Sequence, residues 1–211
     1  DSLRRLQTDH IDLYFSHVFD DTVPVEDTLR TYERLISAGK VRAIGASNHS
    51  AEQLALALKT AKDAGLPRYE VLQPHYNLYN RDTYDGTLRD LAIAEGLGVI
   101  TYFSLASGFL TGKYRSAADF EKSPRGSWIA SYLNDRGLAI LAALDEVAAN
   151  HHATPAEVAL AWLIAREGVT APIASASNVD QLEGLIRATR LQLSAADIAR
   201  LDQASNLPQG A

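Results

Sequence analysis

The chain has 211 residues, with 20 Lys or Arg against 26 Asp or Glu and a formal net charge of −6. That balance argues against nucleic acid or an anionic membrane surface as the main partner, and 46% hydrophobic residues at this length suffice for a sizeable core. The lack of cysteine excludes a disulfide framework, a thiolate zinc site and a cysteine nucleophile.

Methionine is absent as well and the first residue is Asp1, which reads as a processed N-terminus or as part of a longer chain. Leu3–Leu6 reads as a helix end, directly before the first of five apolar runs. These runs are Ile11–His17, Val41–Ser47, Tyr69–Tyr76, Gly98–Leu105 and Thr170–Ala176. All are continuous rather than alternating, the pattern of strands covered on both faces. Helical patterns lie between them. In Glu26–Ala38 the residues Leu29, Tyr32, Leu35 and Ile36 form one stripe, and Gly39 ends it. Ser50 with Gln53 predicts a capping box for a helix running to Gly65. Thr154, Pro155 and Glu157 predict another helix start, through Trp162, and Ser194 with Asp197 predicts a last one. The stretch Tyr114–Asn134 carries Gly, Pro, Ser and charge and reads as a long loop.

Strand and helix alternating in this way predict parallel βαβ units. No G-x-G-x-x-G follows the first strand, as a doubly wound dinucleotide fold would require. A complete (β/α)8 barrel needs about 250 residues. The chain therefore reads as the last five strand–helix units of an α/β barrel whose first strands, about three, are missing, in a single N-terminally incomplete domain over 1–211.

In such folds ligands meet the carboxyl ends of strands, and each predicted strand ends in polar residues. His17 shares strand parity with Leu13 and Phe15. It is either satisfied by a neighbouring backbone group or stands as a hydrogen-bond donor or proton carrier at the mouth. A metal role is not indicated, because no second ligand stands at i+2 or i+4 and Asp20–Asp21 read as a solvated turn. Ser47 and Asn48 suit turn and capping chemistry. Gln73 sits in an apolar setting, where a carboxamide must find partners. Ser107 to Tyr114 combines Gly, hydroxyls and Lys113 after a strand, without the spacing of a P-loop. Ser175–Asn178 runs into a helix near Val179 and is either an ordinary helix start or an anion site.

Taken in order, Ser2–Leu6, Asp9–Tyr14 with His17, Gly39–Asn48, Leu72–Asn77, Leu105–Lys113 and Ala176–Leu182 resemble the aldo-keto reductase family. Leu110–Lys113 and Ala176–Leu182 are similar to the bacterial branch that also resembles potassium-channel beta subunits. The resemblance implies a (β/α)8 TIM barrel that transfers a hydride from NADPH, or NADH, to the carbonyl of a small aldehyde or ketone in the cytoplasm. It implies a catalytic set of Asp, Tyr, Lys and His. The His matches His17, and the other three fall upstream of Asp1. It further implies that Ser47, Asn48 and Gln73 hold the nicotinamide carboxamide and that Tyr102 packs on the ring. Phe103, Ser104, Leu105 and Ser107 match the pyrophosphate loop. Lys113 matches a phosphate partner, Arg125 a closing loop residue, and Ser177 and Gln181 the adenosine end.

There are departures from the family pattern. Phe103–Ser104 stands where Ser–Pro is usual, Ser175 where Gly is common, and Gly184–Leu185 where Glu–Asn is common. Asn178, rather than a basic residue, occupies the turn, so the adenosine-end contacts are expected to be weakened or altered. Two other readings carry their own signatures. A non-catalytic nucleotide-binding or regulatory barrel would lack the Asp, Tyr and Lys. A barrel lyase or hydrolase would need paired carboxylates or metal ligands at the rim.

Overall fold

The computed structural model describes residues 1–122 and 126–206. The chain divides into two compact units. The first comprises Asp1–Pro74 and Gly86–Ile100, and the second His75–Asp85 and Thr101–Ala211.

In the first unit strands and helices alternate: α1 (Ser2–Leu6), β1 (Ile11–Ser16), α2 (Val25–Ser37), β2 (Val41–Ser47), α3 (Ala51–Ala64), β3 (Tyr69–Gln73), α4 (Thr87–Ala94) and β4 (Gly98–Thr101). Neighbouring strands β1–β2, β2–β3 and β3–β4 pair in parallel, as the alternation predicted. Ile44, Ala46, Leu72 and Val99 from the strands and Leu29, Leu54 and Ala61 from the helices are buried. The Ser50 hydroxyl accepts from the Gln53 N–H at 3.2 Å, and the Gln53 carboxamide accepts from the Ser50 N–H at 2.9 Å. This is the predicted capping box, and Gly65 closes α3 in the left-handed region.

The strands differ from the expectation in two ways. β1 is not covered on both faces: Asp12 and Tyr14 are exposed, and Asp12 pairs with Arg42 of β2. The predicted ends also recede. β3 stops at Gln73, because Pro74 has no N–H for the ladder. β4 stops at Thr101, because Phe103 adopts φ 52° and leaves the extended region.

The second unit holds α5 (Gly126–Ile129), α6 (Asp135–Asn150), α7 (Pro155–Ile164), β5 (Ala171–Pro172), α8 (Val179–Ala188) and α9 (Ala195–Ser205). Helix α7 packs against α6 and α8, and α6 also against α9. Trp162, Tyr76, Tyr84, Tyr114 and Phe109 are its largest fully buried side chains. Thr154 with Glu157 and Ser194 with Asp197 form the two predicted capping boxes. β5 is only two residues long, shorter than the predicted run, and Ile173 N–H beyond it donates to Thr101 O at 2.8 Å.

The Tyr114–Asn134 stretch is not an unstructured loop. It contains 3-10 turns at Ala117–Lys122 and Ala130–Tyr132 with α5 between them. Asp119 nucleates the first turn, accepting from the N–H groups of Arg115 and Ser116 at 2.8 Å each. Tyr132 anchors the second, stacked on Phe109 at 5.6 Å and edge-on to Tyr79 at 4.8 Å.

Candidate functional site

The strand ends of the first unit are stitched together by side chains. Asn48 turns the chain after β2 with φ 54°, a left-handed geometry that Asn tolerates better than most residues. Its Nδ2 donates to the main-chain oxygen of His17 at 2.8 Å and to Ser47 Oγ at 3.2 Å. The Ser47 hydroxyl in turn donates to Gln73 O at 2.9 Å. These two links join the carboxyl ends of β1, β2 and β3. Ser47 is buried, Gln73 half-buried, and His17 and Asn48 exposed.

Among the described residues the His17 imidazole and the Gln73 carboxamide have no hydrogen-bond partner. A half-buried carboxamide without a partner lacks hydrogen bonds that a planar amide ligand would supply. An exposed imidazole at a strand end offers a donor to a carbonyl oxygen.

The second unit carries Tyr102, Phe103 and the turn that leads to Lys113. His75 pairs with Tyr102 as an isolated parallel bridge, and their rings stack with centroids 5.3 Å apart and planes 23° from parallel. Phe103, exposed, meets the edge of His75 at 5.4 Å. Burial lowers the His75 pKa, opposed by the nearby Asp82 charge, and burial raises that of the half-buried Tyr102 hydroxyl. Asn77, fully buried, holds the turn by donating to Phe103 O at 3.0 Å and accepting from the N–H groups of Tyr79 and Asn80.

Beyond Tyr102 the Ser104 hydroxyl is buried and donates to Thr101 O at 3.1 Å. It therefore shapes the turn from within. Leu105, half-buried, contributes its carbonyl, which accepts from Gly108 N and Leu110 N. Ala106, Ser107 and Gly108 then follow with φ of 48°, 57° and 98°. Within this turn Ala106 N donates to Phe103 O at 2.7 Å and Gly108 N to Leu105 O at 2.9 Å, so these two N–H groups hold the turn itself. A Cβ at Gly108 would lie 3.7 Å from Lys113 Cε and 3.9 Å from its Nζ, so the ammonium sits directly against this turn. The same Nζ lies 5.0 Å from the centre of the Tyr114 ring. A side-chain-free glycine surface with an ammonium against it can fit a phosphate group.

Ser177 and Gln181 face each other at the start of α8. The Gln181 carboxamide oxygen accepts from Ser177 N at 2.8 Å and Ser177 Oγ at 3.0 Å, and Asn178 caps the helix through Gln181 N. All three are exposed. Arg125 lies outside the described residues. Trp128 is exposed, whereas Tyr132 is turned onto Phe109 and Tyr79.

The role of His75 as the backing of Tyr102 went unread in the sequence. Its one signal was a histidine two residues after Gln73 with proline between, which aligns it with the strand it must pair.

Comparisons with known proteins cover nearly the whole chain. A profile of the "Aldo/keto reductase family" matches residues 1–206. L-glyceraldehyde 3-phosphate reductase of Escherichia coli (strain K12) is 30% identical over 209 residues, covering 96% of this chain and 60% of that protein. Aldo-keto reductase YhdN of Bacillus subtilis (strain 168) is 33% identical, covering 93% of this chain and 58% of that protein. Protein tas of Escherichia coli (strain K12) is 32% identical, covering 96% and 64%. The chain thus spans about 60% of the length of the curated relatives it matches first. The match covers the strand ends of the first unit and the Tyr102–Lys113 turn of the second alike, and on it the chain belongs to the aldo/keto reductase family.

Proposed function

We propose that this chain is the cofactor-binding part of an NADPH-dependent carbonyl reductase, with NADH as a possible substitute. In this reading it forms most of a single (β/α)8 barrel domain, works in the cytoplasm, and acts on a small aldehyde or ketone. The observation that carries the reading is the turn at Ala106–Gly108 with the Lys113 ammonium against it, directly after the backed Tyr102 ring.

The nicotinamide, when bound, supplies a hydride to the carbonyl carbon. The rest falls to the protein. Gln73 and Asn48 offer a planar amide surface to the nicotinamide carboxamide, and Ser47 holds the Gln73 backbone in place. Tyr102, stiffened by His75, offers a flat aromatic face to the ring. Lys113, against the Gly108 surface, neutralises phosphate charge. His17 donates a hydrogen bond to the substrate oxygen as negative charge develops there. The proton for that oxygen comes, in this reading, from a Tyr–Lys–Asp set upstream of Asp1. The exposed Ser177–Gln181 pair and the departures around Ser175 and Gly184 leave the adenosine end less well held, so discrimination between NADPH and NADH is expected to be modest.

The test is NADPH oxidation with 4-nitrobenzaldehyde, by the protein that includes the upstream Asp, Tyr and Lys. His17→Ala is expected to lower kcat/KM about 100-fold with NADPH affinity unchanged. Nucleotide binding without turnover in the wild type would instead support the non-catalytic, regulatory reading.

A further inference from the structure

None of the residues given a role above explains His49. It follows Asn48, is 6% exposed, and lines a partly open cavity of about 180 Å³ within the first unit. Phe19, Val25, Thr28, Ala57 and Tyr69 are among the other lining residues. The Phe19 ring meets His49 edge-on at 5.3 Å and 90°, and Tyr69 meets it at 5.6 Å and 77°. Three rings thus make one wall, Val18, Val23, Val25 and Ala57 add aliphatic surface, and Ser16, Thr28 and Asp20 add polar groups.

The polarity of this wall is set by one hydrogen bond. His49 Nδ1 lies 2.8 Å from Ser47 O. A carbonyl oxygen only accepts, so Nδ1 carries the proton and Nε2 holds the lone pair. Among the described residues nothing donates to that lone pair. Burial holds the His49 pKa below the ordinary histidine range, so the ring stays neutral around neutral pH. Tyr69 is pushed up to about 12 by its own burial and keeps its proton. Asp20, at the cavity edge, is exposed and its Oδ1 already accepts from Thr22 N and Oγ1.

Size and polarity then select a ligand class. A volume of about 150 Å³ accommodates one benzene ring, and this cavity, about 180 Å³, is slightly larger. A carboxylate would face a lone pair and lose its hydration without compensation. A neutral ring bearing one hydroxyl matches both the volume and the unsatisfied acceptor.

We propose that the cavity beside His49 is a binding site for a small neutral phenol or benzylic alcohol, which donates its hydroxyl hydrogen to His49 Nε2. The site stands independently of the cofactor reading, since none of the residues that would hold the nucleotide lines the cavity.

The test is a titration of the protein with phenol and, separately, with toluene, followed through the His49 imidazole nitrogen signals by NMR. Phenol is expected to shift Nε2 saturably and to bind about tenfold more tightly than toluene, the worth of one hydrogen bond. His49→Phe should make the two ligands equal by removing the acceptor while keeping a ring. Ala57→Leu, which fills the cavity from α3 and leaves His49 in place, should abolish binding of both. The proposal is overturned if phenol leaves Nε2 unshifted up to its solubility limit. It also fails if toluene binds the wild type as well as phenol does, or if Ala57→Leu binds phenol normally.

Discussion

Gly137→Ala is expected to destabilise the protein by about 3 kcal/mol, lowering its melting temperature by about 10 °C, although alanine is the better helix former. Gly137 lies in the first turn of α6, where its N–H donates to the Asn134 side chain at 2.9 Å. A Cβ built there would fall 1.8 Å from Tyr132 O and 3.0 Å from Phe109 Cζ. The obstacle is backbone. Tyr132 is held between Phe109 and Tyr79, and Tyr79 is further fixed by the Arg136 guanidinium 4.5 Å from its ring centre. Relief of the clash must move either the helix or the Ala130–Tyr132 turn. Helix propensity alone would predict a gain of about 1 kcal/mol, so the sign of the change in urea or thermal unfolding decides between the two effects.

Asp202→Ala is expected to cost a similar amount, about 3 kcal/mol, by a different route. Asp202 Oδ1 accepts from Trp162 Nε1 at 2.9 Å and from Arg81 Nη1 at 3.3 Å, and its Oδ2 accepts from Arg166 Nη1 at 3.0 Å. The two guanidinium carbons lie 5.6 and 5.0 Å from the Trp162 ring centre. Asp85 completes the cluster, accepting from Arg81 Nε and from the buried Tyr76 hydroxyl at 2.8 Å each. The Arg81 and Arg166 side chains are only 13% and 16% exposed. Deleting one of two carboxylates leaves two mostly buried cations and a buried indole N–H short of an acceptor, with Asp202 itself 29% exposed. Asp202→Asn keeps an acceptor for Trp162 and should cost less. Urea unfolding followed by tryptophan fluorescence measures both variants. A loss no larger than that of an exposed ion pair, under about 1 kcal/mol, would mean that the cluster is solvent-screened.

These two sites also show what a sequence exposes and what it hides. Capping boxes at Ser50, Thr154 and Ser194 were legible because a cap is local: donor and acceptor lie three residues apart, and the pattern is their geometry. The alternation of strands and helices was legible for the same reason. Strand ends were not, because they depend on where Pro74 interrupts a ladder and where Phe103 adopts a left-handed turn. The Tyr114–Asn134 stretch looked like a loop by composition, yet Asp119 and Tyr132 organise it through contacts that composition does not encode. The Arg81, Asp85, Arg166 and Asp202 cluster joins residues up to 121 positions apart, beyond the reach of any local pattern.

The candidate site divides in the same way. Ser47, Asn48 and Gln73 stand out as polar groups at strand ends, and the structure links them. The fit of Gly108 to Lys113, by contrast, needs backbone dihedrals that only the fold reveals. Ser104, which the resemblance matches to the pyrophosphate loop, is buried and donates to Thr101 O, a contact no local pattern shows.

Isothermal titration with NADPH, wild type against Lys113→Ala, reads the proposed phosphate contact. Saturable binding is expected in the wild type, weakened about tenfold or more at low salt when the ammonium is removed, with the loss shrinking as salt rises. Absence of NADPH binding by folded wild-type protein, or unchanged affinity in Lys113→Ala, would contradict it.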